Sequence, residues 1–374
     1  MVKGTIFYIG FFGLPDKDAA AHRVLNNAKA LRELGYDVVF IDEQDKYEYQ
    51  SIEESKRIIQ GFDVFSLKRP DNNIDFFKKM ISISQQAKII DLYPDTLSII
   101  AYNYPAVALQ VLRKYCIKKK IKVISDCTEW YSGNEYRFPM NILAKADSFY
   151  RMRIINKKMD GIICISSYLN EYYKKTNSTI IIPPLVDLSE EIWNQETVEL
   201  GRGINLVYCG NPGRAKDQLK PLIEAVSCVS NNEFTLRVIG VTKEQYITIN
   251  GALPKNSDNV LFLGRIAHDK AIAIVKSSDY LVFLRDRNRV SMAGFSTKFV
   301  EAVSCGTQVI TTDTSDLKQY IEKYNLGIII NADEKIVFDE SRMHKKNCSQ
   351  LNGLFDYHNY IQKFNQWILE NFRE

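Results

Sequence analysis

The chain has 374 residues, 45% of them apolar and 25% charged. That is too long for one ordinary core, comfortable for two, and too apolar for wholesale disorder. A net charge of +4, with no basic tail and no Lys/Arg-rich reading helix, gives no argument for a nucleic-acid partner.

The first apolar run, within MVKGTIFYIGFFGLPDKD, is too short to span a bilayer and lacks a small-residue cleavage pattern, so it reads as a strand near Thr5–Phe12. Ala21, Val24, Leu25, Ala28 and Leu31 then keep one helical face until Gly35, and Val38–Ile41 is the next strand. A strand at Asp63–Leu67 and a helix over Phe76–Leu92 follow. The same alternation continues with a strand at Ser98–Ala101, a helix at Ala106–Lys119, a strand at Lys122–Ser125, a helix at Ile142–Lys157 and a strand at Gly161–Ile165. Strands alternating with helices imply a parallel sheet covered on both faces. The segment IIIPPLVDLSEE breaks the rhythm, because two prolines do not sit inside a central strand.

After it the alternation restarts, with strands at Asn205–Cys209, Thr235–Ile239, Val260–Leu263, Tyr280–Leu284 and Gln308–Thr311. The expected organisation is an α/β chain of two doubly wound, Rossmann-like domains, 1–187 and 188–350, facing across a cleft at the strands' carboxyl ends. An amphipathic C-terminal helix, Asp356–Phe372, is expected to pack back from a segment 351–374 onto the first domain, since Tyr357, Ile361, Phe364 and Ile368 form too large an apolar face for water. The seven cysteines (Cys116, Cys127, Cys164, Cys209, Cys228, Cys305 and Cys348) form no C-x-x-C pair and mostly sit in apolar runs, which suits reduced thiols in the cytoplasm.

Three stretches carry candidate chemistry. The loop Gly210-Asn211-Pro212-Gly213-Arg214-Ala215-Lys216-Asp217 follows a strand with glycines, two cations and a helix start. Glycine lets backbone approach a phosphate, and cations neutralise it. Gly264-Arg265 places a second arginine at a strand's end. The third stretch, Ala293–Ile310, holds a glycine turn, a short helix opening at Ser296, Thr297 and Lys298 and carrying Glu301, then Gly306 and a buried strand. Helix-start amides suit a diphosphate, and Glu301 a ribose diol.

The order of these parts, with RVIG, LGRI, SSDYLVFL, GFSTKFVEAVSCGTQVI, SDLKQYI and NLGIII, resembles the nucleotide-binding half of the GT-B glycosyltransferases of family 4, over residues 204–327. LRELGYDVVFID, ICIS and PPLVD extend the resemblance more loosely to the first half. It implies a retaining, metal-independent transfer of a sugar from a nucleotide-diphosphate sugar to an acceptor hydroxyl, without a cofactor. By resemblance Glu301 is the second acid of the E-x7-E motif and holds the ribose, while Lys216 and Arg214, with Arg265 as the other option, grip the diphosphate. Gly210, Asn211, Gly213, Ser296, Thr297, Lys298 and Gly13 complete the donor side; Asp126, Glu129 and His22 are placed on the acceptor side. The first motif acid falls at Ala293 and is absent.

That absence favours another reading, a non-catalytic GT-B protein that binds a nucleotide sugar or a partner transferase; a nucleotide-sugar epimerase is the second alternative, since such epimerases share the two-domain shape, but the cleft acids and the His it would need are sparse. The expected partners are the nucleotide-sugar donor and a glycan or lipid-linked sugar acceptor, as in polysaccharide assembly. The stretch Tyr136–Lys158 sets Arg137, Lys145, Arg151, Arg153, Lys157 and Lys158 among aromatic residues against one acid, Asp147, a composition suited to the anionic inner face of a membrane. The competing reading has Ala146, Phe149, Tyr150, Arg153 and Ile154 as a stripe packed on the helix's own sheet.

Overall fold

The computed structural model describes residues 3–133, 138–210, 217–229, 233–331, 336, 338, 343 and 349–371. The chain divides into two compact units, Met1–Leu185 with Tyr357–Glu374, and Val186–Asp356.

The first unit runs β1 (Thr5–Gly10), α1 (Ala19–Glu33), β2 (Asp37–Asp45), β3 (Lys56–Ile59), β4 (Phe62–Lys68), α2 (Asn73–Ile81), α3 (Ser84–Ile90), β5 (Thr96–Tyr102), α4 (Ala106–Lys119), β6 (Lys122–Cys127), α5 (Met140–Tyr150), β7 (Gly161–Cys164), α6 (Ser167–Tyr173) and β8 (Ser178–Ile181). Its sheet has the order β3-β4-β2-β1-β5-β6-β7-β8, parallel except for the β3 edge. Alternate residues of each central strand serve opposite cores, because side chains alternate faces. Tyr8, Phe40, Ile100 and Ile124 face α1, whereas Phe7, Ile41, Ile99 and Val123 face α3 and α4.

The second unit runs β9 (Ile204–Cys209), α7 (Leu219–Val226), β10 (Phe234–Ile239), α8 (Lys243–Asn250), β11 (Val260–Gly264), α9 (His268–Ser277), β12 (Tyr280–Phe283), α10 (Arg289–Ala293), α11 (Thr297–Ser304), β13 (Gln308–Thr312), α12 (Leu317–Tyr324) and β14 (Gly327–Ile330). Its parallel sheet is ordered β11-β10-β9-β12-β13-β14. The order reverses beside β9, so the loops after β9 and β12 leave the sheet at the switch point where doubly wound folds bind ligands.

The last helix, α13 (Ile361–Asn371), belongs to the first unit. Phe364 and Trp367 are buried in the α1-side core, and the Trp367 indole donates to Ser178 Oγ at 2.8 Å. It is shorter than Asp356–Phe372, since tight turns occupy Ser349–Phe355 and Tyr357–Tyr360. Two long helices also differ from expectation. Phe76–Leu92 breaks at Ser82, which is extended and whose hydroxyl accepts from Ser84 N, a local bond that competes with helix. Beyond Tyr150 the expected helix to Lys157 widens into a π turn over Arg151–Ile155. That turn buries Arg151, Met152 and Ile155, and the Asn156 that follows it donates its Nδ2 to Tyr173 Oη at 3.1 Å. No helix among the described residues is long and apolar enough to cross a membrane.

Candidate functional site

The carboxyl ends of β9, β10 and β12 build the site in the second unit. Gly210 and Gly240, which end β9 and β10, have φ of +136° and +98° and approach so closely that a Cβ on Gly240 would lie 2.5 Å from the Gly210 carbonyl oxygen. A Cβ on Gly210 would lie 2.5 Å from Lys298 Cε. Only glycine leaves this room, and Lys298 uses it to reach past the β9 end from the first turn of α11.

Lys298 meets Asp217 there. The Asp217 carboxylate, with its side chain 1% exposed, takes Lys298 Nζ at 2.8 Å and Arg285 Nε at 2.7 Å. The Tyr208 hydroxyl donates to it at 2.8 Å. Burial pushes the Asp217 carboxyl up, but Lys298 and Arg285 outweigh it and hold the group below the ordinary carboxylate range. The result is a locked carboxylate carrying two cations, both still partly open to solvent. Arg285 is fixed further through its backbone, whose N–H donates to Thr312 Oγ1 at 2.9 Å.

Helix α11 turns Phe299, Val300, Ala302 and Val303 into the core. Thr297, Lys298, Glu301 and Cys305, at helical spacing, form its half-buried stripe. Glu301 Oε1 lies 3.7 Å from His268 Nε2 at the start of α9. Burial, followed by the Glu301 charge, pushes the thiols of Cys209 and Cys305 up to about 12, which makes them inert at neutral pH. The Ser296 hydroxyl, buried at the N-cap of α11, has no hydrogen-bond partner among the described residues. An orphaned donor at a helix start is the feature expected where an anion completes the shell. Ala293, where the first motif acid would stand, is fully buried at the end of α10.

Asn211, Gly213, Arg214 and Lys216 lie outside the described residues. Gly210, Lys298, Ser296, Thr297 and Glu301 come together around β9 and α11, whereas Arg265 is exposed after the edge strand β11, with β10 between it and β9. Asp217, Arg285 and His268 were not singled out as site residues from sequence. Arg285 carried the same signal as Arg265, a cation directly beyond a strand, and Asp217 stood unassigned at the end of the glycine loop.

In the first unit Asp42, buried within β2, accepts from the N–H groups of Phe12, Gly13 and Leu14 at 3.1, 3.1 and 2.8 Å. That carboxylate shapes the loop after β1 and fixes Gly13. Asp126, placed on the acceptor side by the resemblance, lies in the core of the first unit. It is fully buried, and its oxygens take Arg23 Nη2 at 2.7 Å, Arg23 Nε at 3.1 Å and the Tyr8 hydroxyl. Arg23 Nη1 continues to the Ile182 carbonyl at 2.9 Å. Asp126 therefore pins α1 and the β8 exit to the sheet. His22 sits half-buried in the first turn of α1. Glu129 lies close enough to Tyr102 for its charge to add, after burial, to the rise of that phenol. Among the described residues no three His, Cys, Asp or Glu side chains converge as a metal site requires.

Residues 203–340 match the family model described as glycosyl transferases group 1. No curated protein sequence matches the chain. Among solved structures, the sucrose-phosphate synthase of Thermosynechococcus elongatus superposes with a TM-score of 0.71 at 15% identity over 98% of both chains. HepE of Anabaena in complex with UDP and glucose gives 0.64 at 13% over 98% of this chain and all of that one. The lipopolysaccharide outer core galactosyltransferase WaaB gives 0.64 at 13% over 98% and 99%. Residues 203–340 thus match a group 1 glycosyltransferase domain, in a chain that shares the two-domain GT-B fold of these structures.

Proposed function

We propose that the protein transfers a glycosyl group from a nucleotide-diphosphate sugar to an acceptor hydroxyl with retention of configuration. The observation that carries this reading is the convergence, at the end of β9, of Lys298 held on Asp217 and the orphaned Ser296 hydroxyl at the start of α11. A diphosphate seated there would take the Lys298 ammonium and the first amides of α11, with Arg214 and Lys216 from the glycine loop. Glu301 would then lie one helical turn further, within reach of the ribose diol. Cations and amides fixed in place before the reaction stabilise a leaving diphosphate as its charge grows, and their preorganisation supplies the largest share of the effect. In this mechanism side chains and the helix start do the work of a metal, and no cofactor is involved. HepE, solved with UDP-glucose, shares the fold, which supports a uridine nucleotide as the first donor to test.

Thermal unfolding with UDP, GDP, ADP and their sugars tests the donor. A nucleotide-diphosphate sugar should raise the melting temperature in proportion to the logarithm of its concentration over its dissociation constant. The anomeric configuration of the product, read by NMR, tests retention. The buried Ala293 favours one second reading, a protein that binds a nucleotide sugar without turning it over. Slow hydrolysis of the bound donor in the absence of acceptor would exclude it. The acceptor side is assigned to the first unit, with a glycan or lipid-linked sugar as acceptor in polysaccharide assembly at the cytoplasmic face of a membrane.

A further inference from the structure

The first unit's sheet holds a cavity toward the amino ends of β1, β5 and β6. Ser98 shares the parity of Ile100 on β5, and Lys122 that of Ile124 on β6, so both side chains stand on the α1 and α13 side of the sheet. Helix α13 crosses this stretch with Phe364, Trp367 and Ile368, and the space beneath it is not filled. The hollow measures about 350 Å³, with Ile6, Ile100, Ile124, Ile163, Phe364 and Trp367 among its walls. Close-packed interiors leave few voids larger than a water molecule, and small-molecule sites begin at about 300 Å³.

The rim of this apolar hollow is basic. Lys120, the left-handed cap of α4, and Lys122, the first residue of β6, line it and are exposed. Lys3 Nζ lies 5.3 Å from the ring centroid of Tyr36, another lining residue. Among the described residues no aspartate or glutamate lines the cavity. Two acids stand near the rim and are engaged. Asp160 accepts from Val123 N at 2.8 Å and lies 4.0 Å from Lys122 Nζ, and Asp95 takes the Thr5 hydroxyl at 3.1 Å. Ser98 is 7% exposed, and its hydroxyl, on the cavity wall, has no hydrogen-bond partner among the described residues. Its polar neighbours are satisfied: Thr96 Oγ1 donates to the Tyr93 carbonyl at 2.6 Å, and the Trp367 indole to Ser178 Oγ at 2.8 Å. A buried donor left over beside two lysines calls for an acceptor.

We propose that this cavity binds one molecule of a medium-chain anionic amphiphile. The chain lies under α13 against the isoleucines, and the carboxylate or phosphate head accepts from Ser98 and faces Lys120 and Lys122. A neutral apolar ligand would leave the Ser98 hydroxyl without an acceptor and the lysines without a role. An inorganic anion would leave the apolar walls uncovered, and apolar walls hold water poorly. The cavity sits at the opposite end of the strands from the loops after β1 and β5, so the inference does not rest on the transfer reading. Filling it adds contacts to α13, the segment by which the chain returns to the first unit.

Titration calorimetry and thermal unfolding of the full chain with decanoate, decyl phosphate, decanol and acetate test it, below the concentrations at which the amphiphiles form micelles. Decanoate or decyl phosphate should bind saturably at one site and raise the melting temperature with the logarithm of its concentration. Acetate, a head without a chain, should not bind. Binding should change the fluorescence of Trp367, and Trp367→Phe should remove that change. Lys122→Glu, at an exposed position, should weaken the amphiphile by about tenfold or more, the factor for a hydrogen bond to a charged group, and leave decanol unaffected. Ser98→Leu, which fills the hollow, should remove binding; if that variant does not fold, Lys122→Glu and Lys120→Glu carry the test. The proposal is overturned if wild type shows no saturable binding, if decanol binds as tightly as decanoate, or if Lys122→Glu leaves decanoate binding unchanged. A melting temperature that only falls with decanoate overturns it too, since the amphiphile would then be acting as a detergent. Lys122→Glu should keep the wild-type thermal shift with nucleotide, and absence of that shift in wild type would count against the donor reading alone.

Discussion

Replacing Lys298 by Met keeps the length of the side chain and removes the ammonium that Asp217 holds at 2.8 Å. Asp217 is 1% exposed, so its charge has no water to fall back on. Stripping a partner from a buried ion pair costs about 3–5 kcal/mol. Arg285 at 2.7 Å and the Tyr208 hydroxyl at 2.8 Å remain, so the expected loss is about 2–3 kcal/mol, at or below the low end of that range. The pH dependence follows from the direction of the shift. The folded Asp217 carboxyl is depressed, so its stabilisation is present above the unfolded value of about 3.9 and is lost as pH falls through the folded value. Lys298→Met should therefore cost most at neutral pH and progressively less below pH of about 4. Urea unfolding of wild type, Lys298→Met, Asp217→Asn and the double variant at neutral and acid pH reads both quantities. In the double variant the two losses should fall short of adding, because each removes the same contact. An equal loss at neutral and acid pH, or strict additivity, would refute the pairing as the source of stability.

Glu301→Gln should weaken nucleotide affinity by about 1–3 kcal/mol, the range for a hydrogen bond to a charged group, while leaving the melting temperature of the free protein nearly unchanged; titration calorimetry checks both. Gly240→Ala should destabilise by about 2–4 kcal/mol in urea, since its Cβ meets the Gly210 carbonyl oxygen at 2.5 Å and its φ of +98° disfavours any L side chain. Asp126→Asn should cost about 3–5 kcal/mol by leaving Arg23 charged and underpaired in the core, and a variant that stays stable but loses acceptor affinity would refute this structural role. Phe364→Ala on α13 should cost about 3–5 kcal/mol, and a soluble, fully stable chain ending at Gly353 would show that α13 is dispensable to the first unit's core.

The sequence made the alternation of strands and helices legible because each central strand is an apolar run closed by a helix of period 3.6. It hid the elements whose signal is weak or polar. The antiparallel edge strand β3 reads KRII and is mostly exposed, so neither alternation nor burial marks it. Ser178–Ile181 lies just ahead of the proline pair that draws attention as a breaker. Glu301 was legible because the four residues around it are apolar and force the carboxylate onto the one open stripe of α11. Asp217 was not, because its partners come from positions 68 and 81 residues later and only the sheet order brings them to it. The outer face of the first unit was half legible: the basic, aromatic stretch of α5 stood out, whereas α2 and α4 looked like ordinary sheet-covering helices until their apolar side chains proved to face solvent.

Counting acids along the chain does not separate ligand-binding carboxylates from structural ones, for a physical reason that applies to both units. A carboxylate toward the carboxyl end of a parallel strand stands where ligands bind, but it also stands where loops must be held against the ends of the sheet. Asp42 answers the second need by taking three backbone N–H groups, and Asp126 by taking Arg23 and Tyr8. Asp217 joins the two needs, since it is buried like a structural acid yet holds two side chains whose charged ends are partly open to solvent. A carboxylate that keeps an open lysine and an open arginine in fixed positions lowers the cost of ordering them when an anion arrives. That cost, on the order of 0.5–1.5 kcal/mol for each flexible side chain, is met once in folding instead of at every binding event. On the proposed donor reading the cation placed for a diphosphate is Lys298, and the residue that places it is the buried Asp217.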